Sequence, residues 1–236
     1  MIGDPSAGRI DEMSTRLHFQ NEIEGFRTGL VEMASLALSQ VERGVLAWEE
    51  VDVDAALEVV AADDQVDIRC AELDQKIYSL QLLEAPVAGD QRLLHVGLIA
   101  VIALERVGDL AVAIADAAMS VRPEGAVPEI QALISRMSAR AVDTLARAVQ
   151  AIARGDADLG EEAGLEAAKV REMLAEVVGA AAAAPDEPDT RIWSAAAVLV
   201  ARHLERVANN GAELGGRVRF LVSGEAFSRD SRGSRT

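Results

Sequence analysis

The chain has 236 residues, enough for one large domain or for two domains of about a hundred residues each. Half of the residues are hydrophobic but only 3% are aromatic, a composition that favours closely packed helices over strand-rich folds. The formal net charge of -16 disfavours binding to nucleic acid and to anionic lipid, because both require a positive protein surface.

Both ends of the chain are polar and poor in apolar residues. We expect residues 1–13 and 228–236 to form disordered tails. The start lacks the basic-then-apolar order of a secretory signal, and the most apolar run, residues 93–104, is too short to span a bilayer. The sequence therefore predicts a cytoplasmic protein without direct membrane insertion, which reaches a membrane only through its partners.

Three helices are predicted between residues 14 and 121. Apolar residues from Phe19 to Val41 recur at spacings of four and three, which places them on one face of a long first helix. A second helix is expected from about residue 52 to 83, with Asp52 or Asp54 as its N-cap. After a short segment containing proline and glycine, a third helix is expected from about residue 90 to 120.

The same order of elements is predicted again in the second half. Residues 122–128 contain two prolines and a glycine, the strongest boundary signal in the chain. A fourth helix is expected over about 128–153, and a fifth from the turn at 155–156 to about 184. A proline-bearing loop then introduces a sixth helix, within a unit that ends at residue 227.

A short repeated motif links the two halves. The residues Leu-Glu-Arg-Val at positions 104–107 recur at positions 204–207, at matching places in the third and sixth helices. An identity of four residues is weak alone, but its position in two similar units indicates an internal repeat. The predicted fold is therefore all-α, with two tandem three-helix bundles over residues 14–121 and 128–227.

Candidate metal ligands lie on the third helix. Glu105 and Asp109 are four residues apart, so they share a helix face and can offer oxygens to one cation. The helical period places Leu98, Ile102 and Val112 near the same face. Carboxylates in such an apolar stripe are costly unless a cation or hydrogen bonds compensate their charge.

The second helix supplies a matching pair of acids. Asp63 and Asp67 are also four residues apart, and the second and third helices of a three-helix unit lie side by side. All four carboxylates could then converge on a divalent or ferric ion, such as Mg, Mn, Ca, Fe or Zn. Alternatively, the acids face solvent or pair with Arg69, Arg92 and Arg106.

Motifs of catalysis are missing from the sequence. It has no Glu-x-x-His motif of di-iron bundles, no Gly-x-Ser-x-Gly and no phosphate-binding Gly-x-x-x-x-Gly-Lys loop. We therefore expect no enzymatic activity. Two other interpretations stay open: a metal-dependent hydrolytic enzyme that uses the four acids, and a helical adaptor without metal.

Three local motifs resemble the PhoU family, whose members are two repeated three-helix bundles. Residues 63–67 resemble the family's Asp-x-x-Ile/Val-Asp segment, and residues 85–92 resemble its Pro-Val-Ala-x-Asp-x-Arg loop. Residues 105–109, Glu-Arg-Val-Gly-Asp, resemble its Glu-Arg-Ile-Gly-Asp motif. The motifs occur in the right order, and the likeness extends over about residues 14–227.

This resemblance implies a function as a cytoplasmic accessory protein of the high-affinity phosphate importer. Members of the family are thought to contact the ATPase subunit of that ABC transporter and a membrane sensor histidine kinase. They restrain phosphate-starvation signalling when phosphate is plentiful. The resemblance further implies a homodimer and metal at the acidic motifs.

The second repeat departs from the family pattern, which makes a second metal site at Glu205 and Asn209 doubtful. Asn209 stands where an aspartate is expected, and aligning the fifth helix with the second places Ala167 opposite Asp63. The same alignment places Arg171 opposite Asp67. We therefore predict that an ion pair with Arg171, or with an arginine at 202, neutralises Glu205.

Overall fold

The computed structural model describes residues 5–83 and 86–225, with side chains described from Arg16 onward. These residues form six α-helices: α1 (Pro5–Glu50), α2 (Val53–Leu83), α3 (Ala88–Ala118), α4 (Pro128–Arg154), α5 (Ala157–Ala183) and α6 (Pro188–Ser223). One 3-10 turn, Pro123–Gly125, lies between α3 and α4. None of the described helices combines the length and the mean hydropathy needed to cross a lipid bilayer.

The helix order confirms the predicted fold class, an all-α protein of two three-helix bundles. The bounds predicted for α2 to α5 agree with the structure to within two residues. The start of α1 differs, because residues 5–13 of the predicted tail are helical. Pro5 is compatible with a first helical turn, and good helix formers such as Ala7 and Glu12 follow it. Residues 1–4 and the predicted C-terminal tail lie outside the described residues.

Local sequence explains the tight turn between α4 and α5. Gly155 ends α4 with φ 67°, in the left-handed region that glycine adopts without a steric penalty. The next residue, Asp156, begins α5 as its N-cap, and its carboxylate accepts a hydrogen bond from the backbone N–H of Leu159. The chain therefore reverses within two residues.

Contacts within each three-helix bundle and contacts between the two bundles define the architecture. The helices α1, α2 and α3 pack together as the first bundle, and α4, α5 and α6 as the second. The bundles meet through α1 against α4 and α3 against α6, whereas α2 and α5 pack within their own bundles. Trp48 and Trp193 are fully buried where the bundles meet, with ring centroids 4.8 Å apart, so they act as core anchors.

Reciprocal hydrogen bonds relate the two bundles. The guanidinium of Arg27 on α1 donates to the carbonyl of Ala153 near the end of α4. The amide of Gln131 on α4 donates to the carbonyl of Glu49 near the end of α1. Donors and acceptors are each separated by the same interval along the chain, so the contact has an approximate two-fold symmetry. Each bond satisfies a carbonyl that its own helix leaves without a partner.

Candidate cation site on the first bundle

The row of α2 residues that faces α1 and α3 contains one of the predicted acids. Buried apolar residues recur along α2 at heptad-like spacings, and Asp63 falls at the missing position between Val59 and Val66. Asp63 is half-buried, and its Oδ1 atom has no access to solvent. A carboxylate therefore occupies a place where the rest of the row is apolar.

The other three acids lie close enough to Asp63 to affect its ionisation. Glu105 on α3 is half-buried, whereas Asp67 on α2 and Asp109 on α3 are exposed. Burial, followed by the charges of Asp67 and Asp109, raises the pKa of Asp63 to about 6. Glu105 adds to this effect, so the four predicted acids share one electrostatic environment.

A buried amide from the first helix reaches the same place. Gln40 on α1 is 4% exposed, and a β-carbon added to Gly108 on α3 would lie 3.5 Å from its Oε1 atom. The same added carbon would lie 2.6 Å from Oδ1 of Asp63. Neither oxygen has a hydrogen-bond partner among the described residues. We call Gln40, Asp63 and Gly108, with the three surrounding acids, the oxygen niche.

The apolar stripe predicted around Glu105 and Asp109 needs a correction. Leu98 and Val112 are half-buried, but Ile102 is 40% exposed, and Asp109 is exposed as well. The acids lie at the edge of the buried face of α3, because Leu104 and Gly108 occupy its centre. The two side chains are therefore not embedded in a fully apolar environment.

Two of the three arginines proposed as alternative partners of these acids have other partners. Arg69 forms ion pairs with Glu32 and Glu72, and Arg92 donates to the carbonyl of Leu221 on α6. Among the described residues, none of the four acids forms an ion pair. The part of the chain with described side chains also contains no group of three or more His, Cys, Asp or Glu side chains placed to hold a metal ion. The metal site thus stays a prediction.

The oxygen niche has the chemistry that a hard cation requires. Carboxylate and amide oxygens are the ligands that Mg, Ca and Mn ions prefer. The orphaned oxygens of Gln40 and Asp63 would gain a partner from such an ion, and the surrounding negative charge would attract it. The donor types in the niche therefore suit a hard cation, and Gln40 is a member that the sequence reasoning missed.

The corresponding place in the second bundle has different chemistry. Glu205 on α6 is 4% exposed and forms ion pairs with Arg202 and, at 3.7 Å, with Arg171 on α5. The amide of Asn209 donates to Glu205 at 3.2 Å and accepts from Arg171 at 3.1 Å. These contacts confirm the prediction that arginine neutralises Glu205. Two guanidinium groups occupy the place where the first bundle has carboxylates.

Asp63 makes the metal-free protein sensitive to pH. Its folded pKa of about 6 lies above its ordinary value of 3.8, so the folded state holds the proton more tightly than the unfolded state. This stabilisation is complete below pH 3.8 and is lost as the pH rises through about 6.

We therefore expect the Tm of the metal-free protein to fall, relative to that of Asp63→Asn, as the pH rises through this window. Calorimetry of both proteins in a chelator measures the difference. A difference that is constant with pH would contradict the shifted pKa.

Fold and site together define a class of protein: a tandem repeat of two helical bundles, with an acidic niche in the first bundle and an arginine-neutralised counterpart in the second. Residues 30–118 match the model of the PhoU domain. The chain is therefore similar to the PhoU family.

Similar proteins support the assignment over most of the chain. The phosphate-specific transport system accessory protein PhoU homolog of Pseudomonas putida is 28% identical over 207 residues, which cover 87% of this chain and 81% of that protein. The PhoU protein of Escherichia coli is 25% identical over 223 residues, 92% of each chain. The crystal structure of PhoU from Pseudomonas aeruginosa aligns with a TM-score of 0.78 and 26% identity, over 88% of this chain and all of that one.

Proposed function

We propose that this protein is a cytoplasmic regulator of phosphate uptake that restrains phosphate-starvation signalling through protein contacts. Its partners are the ATPase subunit of the phosphate importer and a sensor histidine kinase, and it acts as a homodimer. The observation that carries the proposal is the Glu-Arg-Val-Gly-Asp motif of α3, which lies in the oxygen niche and within the matched PhoU domain. Relatives that cover most of the chain are named as accessory proteins of phosphate-specific transport, which supports the same assignment.

The proposed regulator holds a cation in the oxygen niche. The ligands are Glu105, Asp109, Asp63 and Asp67, and the ion is Mg, Mn, Ca, Fe or Zn. A bound ion would neutralise repelling carboxylates and fix α2 against α3. In this proposal the four acids have a structural role. They set the shape and charge of the outer face of the first bundle, which a partner would contact.

A hydrolytic function has less support than regulation. A groove of about 300 Å³ lies between α4 and α5, on the other bundle from the four acids. Its lining residues are Arg136, Arg140, Lys169, Glu172, Met173 and Glu176. The oxygen niche and this groove share no residues, so this groove does not place a substrate beside the candidate metal ligands.

Deleting the gene tests the regulatory proposal. In phosphate-rich medium, the deletion strain should express phosphate-starvation genes at a level several times that of the parent, because the restraint is gone. A plasmid copy of the wild-type gene should restore repression. Transcript levels measure the effect, and a pull-down from membranes with the tagged protein should recover the importer's ATPase subunit. Unchanged expression in the deletion strain would refute the proposal.

A further inference from the structure

We propose that the side-chain amide oxygen of Gln40 is an inner ligand of the cation, so that all three helices of the first bundle contribute to the site. This inference rests on the cation site of the proposed function. It adds a neutral oxygen ligand from α1 to the acidic residues of α2 and α3. It also predicts that the ion lies at the buried end of the oxygen niche, against Asp63 and Gly108.

The environment of Gln40 is the first support. The residue is 4% exposed and lies in the core of the bundle, where a polar side chain is unfavourable unless its atoms have partners. Its Oε1 atom has no partner among the described residues, and the same is true of Oδ1 of Asp63. Both atoms are acceptors when Asp63 is ionised, and they approach the same point beside Gly108. A cation between them would satisfy both oxygens.

The absence of a side chain at Gly108 is the second support. A β-carbon there would lie 2.6 Å from the buried carboxylate oxygen, closer than carbon and oxygen atoms can approach without a shift. Glycine at this position of α3 therefore keeps the space beside the two oxygens open. Because glycine weakens the interior of a helix relative to alanine, the space has a cost to helix stability.

The second bundle provides an internal comparison. The register that places Ala167 opposite Asp63 also places Thr144 opposite Gln40, and Ala208 stands at the place of Gly108. All three residues are fully or almost fully buried. The hydroxyl of Thr144 donates to the carbonyl of Arg140 on its own helix, so it needs no ion. The bundle whose site is neutralised by arginine lacks the amide of Gln40, the acid corresponding to Asp63 and the glycine together.

A different role for Gln40 makes opposite predictions. If its amide instead turns to donate an N–H to Asp63, it stabilises the carboxylate without an ion. Gln40→Glu would then place two negative charges side by side and destabilise the metal-free protein, with no gain in cation affinity. As a ligand, by contrast, a glutamate at this position adds a charged oxygen and should bind the ion more tightly.

Titration of the full chain with Mn²⁺, by calorimetry after chelator treatment, distinguishes these roles. We expect Gln40→Leu to weaken Mn²⁺ binding by about tenfold or more and Gln40→Glu to strengthen it by a similar factor. Gly108→Ala should weaken binding as well, because its methyl group enters the niche. Thr144→Val, a matched change in the second bundle, should leave the affinity at the wild-type value.

The rise in Tm caused by saturating Mn²⁺ is a second readout and should follow the same order. Wild-type affinity in Gln40→Leu would overturn the assignment of Gln40, even if Glu105 and Asp109 prove to bind metal. A wild-type protein that binds no Mn²⁺, Mg²⁺ or Ca²⁺ would overturn this inference and the cation site together. The regulatory proposal would still be judged by the deletion strain.

Discussion

Replacing Glu105 and Asp109 together by alanine should abolish stoichiometric metal binding, with an affinity loss of about 100-fold or more. The change removes two of the four charges that attract the ion and leaves Asp63 and Asp67 on a single helix. Metal content after purification without chelator, together with Mn²⁺ titration, measures the loss. We expect one equivalent per chain in the wild type.

This loss should occur without unfolding. Asp109 is exposed and Glu105 is half-buried, and both raise the pKa of Asp63. Their removal relieves repulsion, so the metal-free double variant should be at least as stable as the metal-free wild type. The matched control is Glu205→Ala with Asn209→Ala in the second bundle, which should keep the equivalent of metal. Full metal content in the Glu105→Ala, Asp109→Ala variant would reject the proposed metal site. If the wild type instead binds a second equivalent of metal that Glu205→Ala removes, the prediction that only the first bundle binds metal is wrong.

The helix plan was predictable because local signals agree with the tertiary structure. Apolar residues at spacings of three and four mark the buried faces, and proline or glycine marks every break except that between α1 and α2, where Val51 and Asp52 connect the helices. The repeat at Leu104 and Leu204 fixed the correspondence of the third and sixth helices. Arg171 could be placed beside Glu205 in advance from two alignments. Aligning α6 with α3 gives an offset of 100 residues and aligning α5 with α2 gives 104, a difference of about one helical turn. The contact between them confirms that register.

Gln40 was missed although the sequence contains a signal for it. The buried positions of α1 continue from Met33 to Ala37 by four, and the next step of three leads to Gln40. A pattern search that accepts only apolar residues chooses Val41 instead, which is also buried. A polar residue at a position where the helical period predicts burial is therefore informative.

The depth of each acid could not be read from periodicity. A helical period gives the direction of a side chain around one axis, but exposure depends on how far the neighbouring helices extend around that axis. On α3, Glu105 is half-buried, whereas Asp109, about one turn further along the same face, is exposed. Ile102 is exposed as well, although its residue type predicts burial.

Glu205 should depend on its two arginines for stability. Its carboxylate is almost fully buried, and Arg171 and Arg202 are its cationic partners. Removing the partners of a buried charge costs about 3–5 kcal/mol where the pair is fully desolvated. The arginine side chains are 60% and 58% exposed, so solvent screening lowers the expected cost. We expect Arg171→Ala with Arg202→Ala to lower the free energy of unfolding by about 2 kcal/mol.

Adding Glu205→Leu to this double variant should restore most of the lost stability. A leucine of similar size removes the buried charge, and replacing a buried ion pair by packed apolar residues is often nearly neutral. Because Ala167 on the facing helix α5 and Ala208 on α6 itself are already apolar and buried, the leucine would meet compatible neighbours. Urea unfolding of the wild type, the double variant and the triple variant measures both steps. A triple variant no more stable than the double would show that the arginines stabilise the bundle by packing of their side chains, and that neutralisation of Glu205 is not their contribution.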